Sequence, residues 1–359
     1  MTGIPARRLR AQRLTGEPFE SPVDAVRWLG AVQSQDYSGA KWALGQRSRG
    51  VTDSDLDRLY DDGAILRTHV MRPTWHFVLP DDVRWLLELT GYRIRRGLAA
   101  RYRELELNDK VVARAGAVFA AALAGGRHLT RTELGEVLHA AGISPTGQRL
   151  PHLLAGAELE GLIVSGPRRG KQFTYALLEE RAPKGRVLDR KEAAAELALR
   201  YFRSHGPAQV QDFVWWSGLT MADARAGIAG AGAALERQAI DGKDYWSGAG
   251  PVPSRKTATI AHLLPNFDEY TVGYRDRSAL THADRRFEPG FFSFGSILSN
   301  IVIVDGLVRG AWRRTLARDG LRVEIRIPHR LQATESAAIG EAGRRLAAFL
   351  ERPVILSRI

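Results

Sequence analysis

The run from Asn108 to Leu177 constrains this chain most, because it spells three helices and a hairpin with little loop between them. A helix through Ala124 precedes Thr130-Arg-Thr-Glu133. That is a capping-box pattern, in which the Thr hydroxyl and the Glu carboxylate each satisfy a backbone amide at a helix start. The short helix it opens ends at Gly142, and a Ser-Pro-Thr-Gly turn leads to a third helix, roughly Arg149 to Glu160. Leu162–Ser165 and Gln172–Leu177 read as strands on either side of a basic tip, Gly166-Pro-Arg-Arg-Gly170. Helix, helix, helix, hairpin is the order of a winged helix, a helix-turn-helix variant that places one helix in a DNA groove.

The plan recurs on both sides of that run. Upstream, Ser21 is an N-cap with Pro22 at the first helical position and Val23, Val26 and Leu29 as an apolar stripe. Thr52 with Asp55 starts another helix, Ile65–Met71 and Trp75–Val78 read as strands around an Arg72-Pro-Thr break, and Pro80 opens the next helix. Downstream of the linker Arg181–Arg186 come helices from Asp189 to about Ser204, Gln211 to Trp216 and Met221 to about Gly227. Two β-like segments follow, near Leu235–Ile240 and Asp244–Trp246. The three stretches share a plan rather than a residue-level repeat. The last third differs: Thr257–Leu264, Ile297–Val304, Leu307–Arg314 and Leu321–Ile327 read as strands, with hairpin turns at Asp305-Gly306 and Asp319-Gly320. A final helix spans about Thr334 to Glu351. The expected class is α+β: tandem winged-helix domains at 1–106, 107–182 and 183–250, then a β-rich C-terminal domain at 251–359.

Charge points to a partner. The chain carries 52 Lys+Arg against 40 Asp+Glu, a net +12, and most of the cations are Arg, whose planar fork matches phosphate. No lipidation motif or apolar basic amphipathic stretch favours a membrane surface, so nucleic acid is the expected partner. Cysteine is absent, which excludes disulfides, thiolate nucleophiles, Cys-ligated zinc and iron–sulfur clusters together. No signal-peptide core and no apolar run of about 18 residues is present, so the expectation is a cytoplasmic, nucleoid-associated monomer without a membrane span. His69 and His76 lack a third ligand, and no H-E-x-x-H occurs, so neither metal nor cofactor is expected.

Gln33-Ser34-Gln35 lies just past the opening helix, and residues two apart share one face of an extended segment. Alone this spacing is weak. In order along the chain, however, stand Gln33-Ser-Gln-Asp-Tyr, Lys41-Trp-Ala-Leu-Gly45, Arg72-Pro-Thr-Trp-His-Phe, Ser204-His-Gly-Pro-Ala with Trp215 and Trp216, Pro265-Asn-Phe-Asp-Glu-Tyr-Thr-Val-Gly-Tyr-Arg275, and Val304-Asp-Gly-Leu-Val-Arg-Gly-Ala-Trp312. Together they resemble the AlkZ/YcaQ family of bacterial winged-helix DNA glycosylases, from about Arg7 to the C-terminal helix. The resemblance implies excision of N7-alkylated purines from double-stranded DNA and, in the AlkZ branch, unhooking of crosslinks left by genotoxic natural products. It assigns catalysis to Gln33 and Gln35, the Gln-x-Gln form of the motif. Asp36 is one residue displaced from the carboxylate of the Gln-x-Asp branch and should face elsewhere.

The chemistry suits two amides. An N7-alkylguanine is already cationic and leaves readily, so what remains is to place a water at C1′ and tolerate a cationic sugar. Amides are too weak as bases to expel neutral bases. Lys41 is read as a phosphate contact rather than an amine nucleophile, which makes the enzyme a monofunctional glycosylase. Candidates for the lesion pocket are Asp268, Glu269 and Tyr270, with His69 and Arg72; for Asp268, capping of a strand-end turn is an equal alternative. Phosphate contacts are expected from Arg93, Arg95 and Arg96 on a helix, from Arg168, Arg169 and Lys171 at the hairpin tip, and from Arg275, Arg277, Arg285 and Arg286 on a polar loop. Two other readings stay open: a non-enzymatic winged-helix regulator or nucleoid-associated protein, and a nuclease, for which no metal-binding carboxylate cluster is apparent.

Overall fold

The computed structural model describes residues 3–250, 258–281, 287–288, 290–292, 296–317 and 320–359. Helix α1 (Ile4–Ala11) leads into α2 (Pro22–Leu29), where the Ser21 hydroxyl accepts the Val23 N–H and Pro22 takes the first helical position. Gly30, at φ +83°, stops α2 in a conformation that favours glycine. The chain then extends as β1 (Val32–Gln33), followed by α3 (Tyr37–Gly45), α4 (Asp53–Asp61), β2 (Leu66–His69) and β3 (Trp75–Val78). The Thr52–Asp55 capping box starts α4. The sheet order is β1-β3-β2.

A 25-residue helix, α5 (Pro80–Glu104), carries the chain to a second set: α6 (Asp109–Leu123), β4 (Leu129–Thr130), α7 (Arg131–Ala140), α8 (Arg149–Leu159), β5 (Ile163–Arg169) and β6 (Gln172–Leu177). Its strands are ordered β4-β6-β5, the arrangement of the first set. Thr130 and Glu133 form the expected capping box. After the short α9 (Leu178–Arg181) come α10 (Arg190–His205), α11 (Val210–Ser217), α12 (Met221–Ala231), β7 (Leu235–Ile240) and β8 (Lys243–Gly248). Here a single bridge, Ala208 to Trp246, stands where the other sets have a first strand.

The C-terminal part contributes β9 (Ala261–Leu264), α13 (Glu269–Val272), β10 (Ile301–Val304), β11 (Leu307–Ala317), β12 (Gly320–Arg326), α14 (Ala333–Leu350) and β13 (Val354–Arg358). Its five strands lie in the order β13-β12-β11-β10-β9. Asp305 (φ +50°) and Gly306 (φ +83°) make the two-residue turn between β10 and β11, a backbone that matches the right-handed twist of a hairpin. The expected Asp319-Gly320 turn includes Asp319, outside the described residues, as does the expected strand start at Thr257. β9 begins at Ala261 and β10 at Ile301, shorter than the apolar runs suggested.

The sequence reading missed α1, α3 and β13. Helix α3 is buried on all sides, Gly39 through Leu44, so it has no polar stripe to mark its period. β13 pairs parallel to β12 across α14, and a lone terminal strand of that kind has no turn signal. One core joins the first set to the C-terminal sheet: Val26, Leu29 and Trp42 pack with Leu263, Val302, Ile325, Leu346 and Phe349. Trp42 donates its indole N–H to Leu263 O at 2.7 Å, which fixes α3 against β9 and so brings α13 up to β1.

The hairpin β5–β6 is not free. Arg168 spans Asp57 (2.8 Å) and Asp61 (2.7 Å) of α4, and the Phe173 ring meets Tyr37 edge-on at 5.0 Å. Arg168→Ala is therefore expected to lower stability by about 1–3 kcal/mol, since Asp61 loses its cation and Asp57 keeps only Lys41. Its effect on DNA affinity should be small; thermal denaturation and a binding titration separate the two.

Candidate active site

Gln33 sits on β1 opposite His76 of β3, and the Ser34 N–H donates to Trp75 O at 2.7 Å. The strand ends at Gln33, and Gln35 lies in the bend that follows. Both amide oxygens turn to the loop between β2 and β3: Gln33 Oε1 accepts from Arg72 Nη2 at 2.8 Å, and Gln35 Oε1 accepts from the Trp75 N–H at 3.4 Å. Gln33 is 7% exposed, whereas Gln35 is open to solvent. The loop is held in a tight form, with Met71 at φ +64° and its carbonyl against Gly218, where a Cβ would lie 2.2 Å from Met71 O. Only glycine fits there.

Behind Gln33 lies Glu269, at the start of α13 and 0% exposed. Its Oε1 accepts the Gln33 backbone N–H at 2.8 Å. Its Oε2 accepts the Trp216 indole N–H at 2.8 Å and lies 3.3 Å from His205 Nε2. His205 Nδ1 is in turn 2.7 Å from Ser204 Oγ. Burial alone would push the Glu269 carboxyl up, but His205, the Gln33 amide and Arg72 outweigh it and hold the group below the usual carboxylate range. Burial pushes the His205 imidazole down against the pull of Glu269, which keeps it neutral. His76, enclosed beside Arg72, falls to about 3 for the same reason, burial first and the guanidinium second. The site thus sets one buried anion behind Gln33 and one guanidinium in front of it.

Several expected residues lie elsewhere. Asp268 does not face a pocket: it caps α13 through the Tyr270 N–H and forms a bidentate pair with Arg47, both side chains 0% exposed. Tyr270 is also withdrawn, its hydroxyl donating to Gly306 O and Pro5 O. Lys41 is no phosphate contact, because its buried ammonium pairs with Asp53 and Asp57 at 2.7 Å each. Asp36 caps α3 through the Gly39 N–H and faces away from the motif, as the spacing required. His69 lies at the rim, paired with Glu158 and tilted against Trp75 with ring centroids 4.6 Å apart.

The cation clusters divide in the same way. Arg93, Arg95, Arg96, Lys171 and Arg275 are exposed. Arg168 is committed to α4, and Arg169 pairs with Glu133 at 2.6 Å. Arg277 donates to Thr271 O and covers the ring of Trp215, which is 43% exposed. Arg285 and Arg286 lie outside the described residues. His205 and Trp216 were not singled out as site residues from sequence, although the Ser204-His-Gly-Pro and Trp215-Trp216 segments contain them. Among the described residues no group of three metal-ligating side chains occurs and no helix is long and apolar enough to cross a membrane.

A family model described as DNA glycosylase AlkZ-like matches residues 26–349. The interstrand DNA cross-link repair glycosylase of Streptomyces sahachiroi is 26% identical over 326 residues, 84% of this chain and 85% of that protein. The solved structure of the Streptomyces sahachiroi DNA glycosylase AlkZ shares the fold at a TM-score of 0.76, with 23% identity and 98% of each chain covered. The match spans the motif strand, the loop carrying Arg72 and the segment carrying Glu269, and the chain belongs to the AlkZ-like family of DNA glycosylases, hydrolases of N-glycosyl bonds.

Proposed function

We propose that this glycosylase removes N7-alkylated, cationic purines from double-stranded DNA, bulky adducts and interstrand crosslinks included, with Gln33 and Gln35 as its catalytic pair. The observation that carries the reading is the presentation of both amides from one segment into a rim that holds Arg72, Trp75 and His69. Cleavage of the C1′–N9 bond leaves its electron pair on the already cationic base, which departs neutral, while the sugar takes up the positive charge. Amide oxygens at positions 33 and 35 orient the water that attacks C1′ and stabilise the cation by their dipoles. Lys41, the lysine nearest the motif in sequence, is held by two carboxylates, which supports a monofunctional hydrolase. The name of the Streptomyces relative supports the crosslink part of the reading.

The thrice-repeated helix, helix, helix, hairpin order supports tandem winged helices at 1–106, 107–182 and 183–250, with the C-terminal domain from 251 packed on the first. The exposed cations Arg93, Arg95, Arg96, Lys171 and Arg275 are the proposed phosphate contacts of a monomer on the nucleoid. Arg93→Ala with Arg96→Ala should weaken duplex binding equally for all sequences and lower the salt-dependence slope by about 0.9 per lost contact. The decisive test is incubation of the purified protein with duplexes carrying N7-methylguanine, an N7 interstrand crosslink or uracil. Release from the first two and none from uracil is expected. Robust uracil excision would sink the amide mechanism, and tight sequence-specific binding without release would favour a regulator.

A further inference from the structure

Two neutral amides offer dipoles but no charge to set against the glycosyl cation that forms as the base leaves. Among the described residues, the carboxylate hydrogen-bonded to the 33–35 segment is Glu269. Asp36 is spent on the cap of α3 and Asp268 on Arg47. Glu269 receives two N–H groups, the Gln33 amide and the Trp216 indole at 2.8 Å each, and its Oε2 lies 3.3 Å from His205 Nε2. One N–H on each oxygen and the Arg72 guanidinium nearby favour the ionised form of this carboxyl. It is also fully enclosed, so it can neither attack C1′ nor act as the general base on the attacking water.

We infer that Glu269 is a positioning residue for base excision: its buried carboxylate holds Gln33 by the backbone and supplies the fixed negative charge that stabilises the cationic sugar beyond it. The inference rests on the assignment of Gln33 and Gln35 as the catalytic pair. A fixed charge in a site of low polarisability costs no reorganisation when the cation develops. Enclosure also keeps the group from forming a covalent glycosyl–enzyme bond, so water remains the nucleophile. Arg72 feels the charge of Glu269 and donates to Gln33 Oε1. The other titratable groups that face or feel Glu269 are His76 on β3, His205 and Tyr201 on α10 and Tyr274 after α13, while Arg47 acts on His205.

Glu269→Gln keeps an oxygen for the Gln33 N–H and removes the charge. Single-turnover release of N7-methylguanine should fall about 10- to 100-fold, with duplex affinity unchanged within about twofold. Glu269→Asp, which keeps the charge, should recover part of that loss. Trp216→Phe removes one donor from the carboxylate and raises its pKa, so the acid limb of the pH–rate profile should move to higher pH than in the wild type. A role in holding the strand alone would not move that limb. A folded Glu269→Gln variant with wild-type rate overturns the inference, as does a Trp216→Phe acid limb that coincides with wild type. If Glu269→Gln does not fold, the Trp216→Phe profile decides. Gln33→Ala/Gln35→Ala is measured alongside: activity retained there sinks the catalytic-pair assignment, whereas activity retained in Glu269→Gln sinks the role of Glu269 alone.

Discussion

Gln33→Ala combined with Gln35→Ala is expected to slow release of N7-methylguanine by about 100- to 1,000-fold, the range seen when a preorganised transition-state contact is deleted. Neither side chain holds the fold together. Gln35 is exposed and its one contact, to the Trp75 N–H, is long at 3.4 Å. Gln33 anchors its strand through its backbone, to Glu269 and through the pairing with His76, and an Ala retains both. The double variant should therefore keep its affinity for undamaged duplex while losing the chemical step, with any loss of stability confined to the Arg72 hydrogen bond, about 1–3 kcal/mol. Quenched-flow single-turnover assays resolve this directly, and equal rates for variant and wild type would remove the motif from the mechanism. The single changes should differ: Gln33→Ala also frees Arg72 from its partner, so it should cost more than Gln35→Ala.

Asp268→Asn is the second large effect, and it acts on stability. Arg47 uses every donor it has: Nε to Gln12 O at 3.1 Å, Nη1 to Ala43 O and Asp268 Oδ2, Nη2 to Gln12 Oε1 and Asp268 Oδ1. Both members of the pair are shut away from water. Neutralising one leaves a guanidinium buried without its counter-charge, a loss of about 3–5 kcal/mol. Urea denaturation monitored by tryptophan fluorescence should show the shift, and an unchanged midpoint would mean that water reaches the pair. Asp268 also caps α13, so the same change should loosen the neighbouring Glu269 and reduce activity. Arg47→Met with Asp268→Leu should recover part of the stability, because no lone charge is then buried, but not the cap.

Much of the fold was legible because local chemistry marks element ends. Ser21, Thr52 and Thr130 cap the helices they were expected to cap, and Asp305-Gly306 makes its hairpin. What stayed hidden is decided by distant contacts. The burial of α3 erased its amphipathic signature, and β13 exists only because β12 offers it an edge. In the site, the spacing of Gln33 and Gln35 was readable, but the position of Glu269 behind them joins residues more than 230 apart in the chain. The same ambiguity attached to the basic residues. Lys41 and Arg168 look like Arg93 and Lys171 in sequence, yet the first two meet aspartates of α4 and the last two meet solvent. A charge says nothing of its partner until the fold has chosen one.

The hairpin pinned to α4 by Arg168 has a consequence for how the enzyme docks on DNA. A loose hairpin can reshape itself to each groove it meets and dwell where the fit is good. This one is a strut, bolted to α3 and α4 by two carboxylates and an aromatic wedge. A rigid frame of that kind loses little freedom on docking and meets every duplex with the same shape.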